Sequence, residues 1–343
     1  MVDEASTLSD RDLDQLMWMA TSAGASLRLI GDPAQHGAIA AGGMFRVLCE
    51  RHQRDTPELV TTHRVRDPND RAAAQALRDG RIDDALSHLQ QAGHLHVVDD
   101  DLSMYRHVLA RWWDAHHEGH DHPMVDRRNT TRRQLNRLAH QLRQIHGEIG
   151  TDEIIASDDR HFSVGDRVTA RAPNRDLHPD GDRRAYVRNG ALGTVTAIHH
   201  GDKKHDDRIT VDFDGIGTIV LPRSFFDHHR NRGGRSEVGI DHAYALTSYA
   251  VQGSTSDVST SRVDATATRA ETYVDITRGR LANHLYLTAA TDPLDGEALP
   301  KVPPAPADEA VADRLQRSTG ELTAWEIAYG QPDARTPDRG LSL

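Results

Sequence analysis

Two short stretches near the start of the chain decide the fold: Val2-Asp3-Glu4-Ala5-Ser6 and Leu27-Arg28-Leu29-Ile30-Gly31-Asp32-Pro33-Ala34-Gln35. In each, a short apolar run gives way abruptly to acidic and small polar residues, which is typical of the exit of a buried parallel strand. Open α/β sheets place their chemistry at these strand ends. The pattern therefore predicts an α/β fold in which Glu4 and Gln35 border one crevice.

Asp3 and Glu4 are the pair of carboxylates that a nucleoside triphosphatase needs at such a strand end. One carboxylate holds Mg²⁺ through its waters and the other orients the attacking water. We assign the metal to Asp3 and the water to Glu4, and we expect Gln35 to contact the terminal phosphate. An Asp-Glu pair alone is common on solvated surfaces, so it indicates a nucleotide site only together with the second stretch.

The two stretches resemble motifs II and III of superfamily-one helicases, in particular the RecD-like helicases and the helicase half of conjugative relaxases of the TraI/TrwC type. Further matches follow in the order of that family: Leu59-Val60-Thr61-Thr62-His63-Arg64 with Asp67-Pro68 (motif IV), Thr247-Ser248-Tyr249-Ala250-Val251-Gln252-Gly253-Ser254-Thr255 (motif V) and Tyr273-Val274-Asp275-Ile276-Thr277-Arg278-Gly279-Arg280 (motif VI). The resemblance covers residues 1–290. It implies an ATP- and Mg²⁺-dependent DNA helicase of 5′-to-3′ polarity that acts on single-stranded DNA in plasmid transfer.

The resemblance also assigns roles to residues of the later motifs. Arg64 and Arg278 match the arginines that deliver positive charge to the transferring phosphoryl group. Gln252-Gly253 matches the segment that links the nucleotide to the DNA-facing surface, although an ordinary strand-to-helix turn would look the same. Thr255 matches a contact to the DNA backbone. Tyr249 stands where wider RecD-like proteins have histidine, so base stacking and core packing both remain open.

One part of such an enzyme does not occur in this sequence. Helicases cradle the triphosphate in a G-x-x-x-x-G-K-[ST] loop, and none of the three lysines, Lys203, Lys204 and Lys301, follows a suitable glycine pattern. Gly42-Gly43 lacks a lysine and is interpreted as a turn. We therefore expect a helicase truncated before motif II and inactive alone, whose loop an upstream polypeptide supplies. The alternative is a motor remnant that grips single-stranded DNA or a partner without hydrolysis.

Alternating helical and strand patterns, followed by short β-branched runs between Gly, Asn and Asp turns, define the expected domains. They are an incomplete first RecA-like domain (1–58), a second RecA-like domain in two segments (59–160 and 233–290), an inserted small SH3-like β-barrel (161–232), and a linker with a flexible tail (291–343). In RecD-like helicases, which this segment resembles, the barrel helps grip single-stranded DNA. Its candidate DNA-binding residues are Arg171, Arg175, Arg183, Arg184 and Arg188.

Composition sets further bounds. The net charge of −11 argues against a protein that coats polyanions generally, but it leaves room for a local basic groove. The single cysteine, Cys49, rules out a disulfide framework, and no apolar run reaches the length of a membrane span, so we expect a cytoplasmic protein without a membrane partner. The histidine-rich run 116–122 lacks fixed ligand spacing and is interpreted as a solvated loop and not as a metal site.

Overall fold

The computed structural model describes residues 1–38, 42–59, 62, 64–98, 100–227, 229–230, 236–288, 311–312 and 314–316. The chain divides into two compact units. Unit 1 consists of residues 1–100 and 251–343, and unit 2 consists of residues 101–250. Within the described ranges, no helix is both long and apolar enough to cross a membrane.

Helices and strands alternate through most of the chain. The first hundred residues contain α1 (Asp10–Ser22), α2 (Met44–Arg51), α3 (Pro68–Arg78), α4 (Ile82–Gln91) and β1 (Leu95–Val98). Next come α5 (Asp101–His117), β2 (Met124–Val125), α6 (Asn129–Ile145), β3 (Glu153–Ile155), β4 (His161–Ser163), β5 (Arg167–Ala170), β6 (Leu192–His199), β7 (Arg208–Phe213), β8 (Gly217–Pro222), α7 (Arg223–Phe226), β9 (His229–Arg230), β10 (Ser236–Glu237), β11 (Ile240–His242), β12 (Ala245–Leu246) and α8 (Ser248–Val251). The last described elements with regular structure are β13 (Ser256–Val263), α9 (Arg269–Asp275) and β14 (Gly279–Thr288).

Local capping explains where the first helices begin. The Ser9 side chain accepts the amide of Asp12 at 3.1 Å and caps α1. Asp67 caps α3 by accepting two amides, and Pro68 occupies the first turn, where its missing N–H costs nothing. These are the starts that the sequence predicts, because a cap depends only on residues a few positions apart.

A parallel sheet carries the core of unit 1. Strand β14 lies between β1 and β13 and pairs with both in parallel. The α3–α4 hairpin packs its apolar face against this sheet, and the buried cluster contains Ala73, Leu77, Ile82, Leu89, Val263, Leu285 and Leu287. The predicted α/β fold with a parallel sheet is therefore confirmed.

Asp70, at the start of α3, is a fully buried carboxylate that ties this helix to the sheet. It accepts the backbone amide of Asn283 at 3.0 Å and the Asn283 side-chain amide at 3.1 Å. Its other oxygen lies 2.7 Å from Nδ1 of His94. A buried carboxylate is stable only with such partners, because it has lost its hydration.

The predicted strands at the beginning of the chain are reduced to a single bridge. Val2 pairs with Leu29 in parallel, with hydrogen bonds from Val2 N to Arg28 O (2.8 Å) and from Ile30 N to Val2 O (2.9 Å). The parallel direction is as expected, but the bridge is shorter than the strands predicted before these two strand ends.

Unit 2 contains a five-stranded antiparallel sheet in the order β11-β5-β6-β7-β8. Its apolar face encloses a core that includes Phe162, Val195, Val211, Phe213, Phe226 and Ile240. The predicted β-rich segment is thus present. The first strand of this sheet along the chain, β5, begins at Arg167, directly after a turn in which Gly165 has φ of 97°.

The histidine-rich run is not simply a solvated loop, so that prediction is wrong. His116 and His117 belong to the last turn of α5, and Nε2 of His116 lies 2.8 Å from the Glu148 carboxylate. His122 is buried, and its pKa is lowered to about 3 by burial and then by the nearby Arg111 charge. Burial of one member could not be anticipated from a run that reads as polar throughout.

Candidate active site

Glu4 has an unusual backbone conformation for a non-glycine residue. Its φ of 51° and ψ of 40° lie in the left-handed region, which it shares with only Asp159 among the described non-glycine residues. Directly after the Val2 bridge, the backbone turns here into a short 3-10 helix, Ala5–Thr7. Such conformations cost roughly 1–3 kcal/mol and cluster at functional sites. The bend fixes the direction in which the Glu4 carboxylate leaves the chain.

The Glu4 carboxylate contacts motif V. Nε2 of Gln252 donates to Oε2 of Glu4 at 3.2 Å, and a Cβ placed on Gly253 would lie 3.7 Å from Oε1 of Glu4. Gly253 has φ of 79°, a conformation that L side chains rarely adopt. The structure therefore brings together two of the stretches that the sequence analysis selected, although 248 positions separate the two bonded residues.

Arg278 of motif VI is almost fully buried, with 1 % of its surface exposed. Its guanidinium donates to backbone carbonyls of the motif V segment, Ser254 O at 3.1 Å and Val251 O at 3.5 Å. It also donates to Val274 O at 2.9 Å and to Oγ1 of Thr277 at 2.9 Å. Arg278 thus fastens motif V to motif VI.

Three charged residues act on Arg278 electrostatically. Burial lowers the pKa of Arg278 to about 10, and the positive charge of Arg64 lowers it further, whereas the carboxylates of Asp275 and then Glu4 act in the opposite direction. Arg64 itself is exposed. The charges of Arg64 and Glu4 thus both reach Arg278, and a crevice shared by the three residues stays a prediction.

Gln35 lies in a second group of polar side chains. Its Nε2 donates weakly to Oδ2 of Asp32 at 3.5 Å, and the Tyr273 hydroxyl donates to the same oxygen at 2.9 Å. Burial and the Asp32 charge raise the pKa of Tyr273, so the phenol keeps its proton. Motif III is in this way connected to motif VI. Neither Asp32 nor Tyr273 was selected as a site residue from the sequence, since only their contact across the fold marks them.

Two amide oxygens at the site have no hydrogen-bond partner among the described residues. They are Oε1 of Gln35 and Oε1 of Gln252, and both atoms are buried. In each residue the amide nitrogen is already engaged with a carboxylate. A buried acceptor without a donor is costly, so both oxygens suit a bound water or hydroxyl group.

His36, which the sequence analysis did not select, is also part of this site. It is 2 % exposed, and its pKa is lowered to about 4 by burial and then by the Arg278 charge. His36 is therefore neutral in the folded protein at neutral pH. The residue follows motif III directly, but a lone histidine in a sequence gives no indication of burial.

Acid should destabilise unit 1 through His36. In the unfolded chain His36 is protonated below its ordinary pKa of 6.5, whereas in the folded protein it stays neutral down to about pH 4. The contribution of His36 to the free energy of unfolding is therefore fully present above pH 7. It should fall by about 2 kcal/mol by pH 5. Urea unfolding curves at pH 7.5 and 5.0 measure this change. His36→Gln should flatten the dependence and the exposed control His52→Gln should not; an unchanged slope in His36→Gln would contradict the assignment.

Other predicted residues lie apart from these contacts. Asp3 is exposed, and its Oδ1 accepts the backbone amide of Glu4 at 2.9 Å. Thr255 is exposed as well. Tyr249 is 43 % exposed, which excludes the core-packing alternative for its ring. The roles of these three residues in metal or DNA binding remain predictions.

The candidate DNA-binding arginines of unit 2 form two sets. Arg175 and Arg188 both contact one aromatic ring, with guanidinium carbons 4.7 and 5.5 Å from the centre of Tyr186. Arg183 and Arg184 are exposed in the same segment. Arg171 differs, because it is partly buried and its pKa is lowered by burial and then by the Arg132 charge. The four exposed arginines therefore form the better surface for an anionic strand.

Comparisons with known proteins bear on these motifs. The AAA domain family matches residues 1–100. The conjugal transfer protein TraA of Rhizobium radiobacter is 23% identical over 336 residues, covering 96% of this chain, and TraA of Agrobacterium fabrum (strain C58) is 25% identical over 297 residues, covering 83%. The chain is thus similar to these two TraA proteins over most of its own length.

The chain matches only part of each of these two TraA proteins. The chain spans about a quarter of their length, 27% of the first and 24% of the second. Among solved structures, Pif1 helicase from Bacteroides in complex with ADP-AlF3 and ssDNA matches with 18% identity and a TM-score of 0.49, covering 84% of this chain and 69% of that one.

Proposed function

We propose that the chain forms the downstream part of an ATP-dependent DNA helicase, the motor of a conjugative relaxase. The observation that carries the proposal is the hydrogen bond between Gln252 and Glu4, because it joins motif V to motif II. The charges of Glu4 and Arg64 both act on Arg278. These contacts support the proposal that the motifs, which follow one another in the order of a nucleotide-driven motor, serve one site.

Each side chain has a role that fits its surroundings. Glu4 would orient the attacking water, and the unpaired amide oxygen of Gln35 would accept a hydrogen bond from it. Arg64, exposed and beside Arg278, would place positive charge on the transferring phosphoryl group. The exposed Asp3 suits Mg²⁺, which keeps several of its waters in proteins and needs few carboxylates.

The nucleotide requires one further element. No G-x-x-x-x-G-K-[ST] run occurs in the 343 residues, so we propose that the phosphate loop is supplied by a longer polypeptide or a separate chain. Alone, the 343-residue chain should hydrolyse ATP at background rate with or without single-stranded DNA. Appreciable DNA-stimulated hydrolysis that Glu4→Gln leaves unchanged would overturn the proposal. The proposed 5′-to-3′ polarity is tested with forked duplexes that carry a single 5′ or 3′ tail.

The arginine segment of unit 2 should make single-stranded DNA binding sensitive to salt. Four arginines that neutralise phosphates give a slope of about −3 for log K against log salt, or roughly fiftyfold weaker binding at 200 than at 50 mM. Replacing Arg175, Arg183, Arg184 and Arg188 by glutamine should remove most of this slope. Fluorescence anisotropy with a labelled oligothymidine measures it.

A matched control separates local contact from overall charge. Arg11, Arg28, Arg54 and Arg106 are also exposed, so their replacement by glutamine changes the net charge equally. This control should keep the parent slope. If both quadruple variants lose it alike, the binding is a general charge effect and the segment has no special part in it.

A second candidate function is a motor remnant that binds single-stranded DNA without hydrolysis. The engagement of Arg278 favours it, because four of the five N–H groups of a guanidinium are already bonded within the chain. Such a remnant would bind DNA with an affinity that ATP does not alter. The two candidates are distinguished by adding ATP and a chain that supplies the phosphate loop, since only the motor should then change its affinity for DNA.

A further inference from the structure

A second cluster of ionisable groups lies inside unit 2 and is independent of the proposed motor function. It consists of His140 on α6, Asp166 in the turn before β5, and His242 at the end of β11. All three side chains are buried, and one candidate ligand atom from each lies within 4.8 Å of the others. Two imidazoles and one carboxylate are a ligand set that zinc takes in proteins.

The separations fit a small tetrahedral ion. Nδ1 of His140 lies 2.9 and 3.0 Å from the two oxygens of Asp166, and Nε2 of His242 lies 3.6 Å from Oδ2 of Asp166. Ligand atoms that each stand about 2.0–2.1 Å from Zn²⁺ in a tetrahedron are about 3.3 Å apart. The two histidine–carboxylate separations lie on both sides of that value, and the two histidine nitrogens lie within 4.8 Å of each other, so the side chains would move inward when an ion binds.

The groups around the cluster are those that orient metal ligands. Nε2 of His140 lies 3.3 Å from the Glu153 carboxylate, which matches the usual arrangement of a ligating imidazole whose other nitrogen donates to a carboxylate. Asp166 accepts the Tyr244 hydroxyl at 2.7 Å and the Ser163 amide at 2.7 Å.

His242 supplies an independent indication of a ligand. Its Nε2 is buried and makes no hydrogen bond among the described residues, and at 3.6 Å from Asp166 it forms only a long ion-pair contact. The ring is held in place by stacking on Phe162 and Tyr244. This imidazole nitrogen is buried and fixed, and it points at a carboxylate without a hydrogen bond to it. A bound cation would give the nitrogen a partner.

A cavity provides room for a fourth ligand. It has a volume of about 450 Å³, and both histidines and Glu153 line it. Charged groups of both signs also line it, namely Arg133, Arg137, Arg160, Asp158, Asp159 and Asp241. Three protein ligands leave one tetrahedral position open, as in zinc sites that hold a water or an anion.

We propose that His140, Asp166 and His242 form a zinc-type metal site that fastens α6 to the antiparallel sheet of unit 2. Its fourth position faces this cavity and takes a water. Because the three ligands come from three separate elements, the metal would stabilise unit 2 by cross-linking them.

The test uses the full chain, stripped with a chelator and titrated with Zn²⁺ by calorimetry at pH 7.5. One Zn²⁺ per chain should bind, and zinc-edge X-ray absorption of the loaded wild type should show two imidazole nitrogens and one carboxylate oxygen. Glu153→Gln should weaken binding about 10–100-fold without abolishing it. His242→Gln should abolish it.

Matched controls make every outcome decisive. His116→Gln, in the other histidine-rich region, should bind as the wild type does. Cobalt spectra of the unmodified chain test for a tetrahedral site without any variant, so a misfolded His242→Gln cannot hide the answer. The proposal is overturned if the wild type binds no stoichiometric Zn²⁺, or if a folded His242→Gln variant still binds it. The cluster would then be a network of hydrogen bonds and ion pairs.

Discussion

Replacing Arg64 with alanine should lower DNA-stimulated ATP hydrolysis about a thousandfold in a polypeptide that joins this chain to a phosphate loop. Arg64 is exposed, and its charge acts on the buried Arg278 beside Glu4. An exposed side chain contributes little to stability, typically within about 0.5 kcal/mol. The loss should therefore appear in kcat, measured at saturating ATP and oligonucleotide, and not in the urea midpoint.

Arg66→Ala is the matched control. Arg66 is also exposed and lies two positions away, but its described contacts are made through its backbone. The Arg66→Ala variant should hydrolyse ATP at the parent rate. Arg64→Lys keeps the charge but loses the planar fork, so its rate should lie between those of the parent and of Arg64→Ala. Turnover by Arg64→Ala close to that of Arg66→Ala would remove Arg64 from the catalytic group.

Replacing Asp70 with alanine should destabilise unit 1 by about 3–5 kcal/mol. The substitution leaves two buried donor groups on Asn283 and one partly buried donor on His94 without their acceptor. It also breaks the link between α3 and β14. Urea unfolding with hydrogen exchange read on peptides covering 68–78 measures the loss where it should occur.

Asp79→Ala provides the comparison for Asp70. Asp79 lies at the other end of the same helix, its side chain is 41% exposed, and it pairs with the exposed Arg81. Exposed pairs contribute at most about 1 kcal/mol. Equal destabilisation by the two substitutions would mean that the buried carboxylate does not hold the helix to the sheet.

Features that depend on neighbouring residues could be predicted from the sequence. The caps at Ser9 and Asp67 and the helices they begin are examples, because a cap and its amides lie within three positions. The motif order likewise selected Glu4 and Gln252, which the structure joins by a hydrogen bond. The parallel direction of the bridge at Val2 was predicted, but its short length was not. The length of such a ladder depends on how many residues both strands have.

Features that depend on distant contacts could not be predicted. Asp70 reads as one more polar residue in the first turn of a helix, and only the fold places Asn283 against it. The cluster of His140, Asp166 and His242 has no regular ligand spacing along the chain, whereas the conspicuous histidine run 116–122 contains no metal-type cluster among the described residues. Burial, which lowers the pKa of His36 and His122, is likewise invisible in a local pattern.

The topology of unit 1 also has a consequence for synthesis on the ribosome. Strand β1 makes its sheet contacts with β14, and the paired residues Leu95 and Leu285 are about 190 residues apart. At typical translation speeds the nascent chain carries an unpaired β1 and an uncovered α3–α4 hairpin for about 10–40 s. The whole of unit 2 emerges in that interval. Chaperones that hold apolar surfaces should therefore engage the newly made protein at this hairpin, and release should follow once β14 has left the exit tunnel.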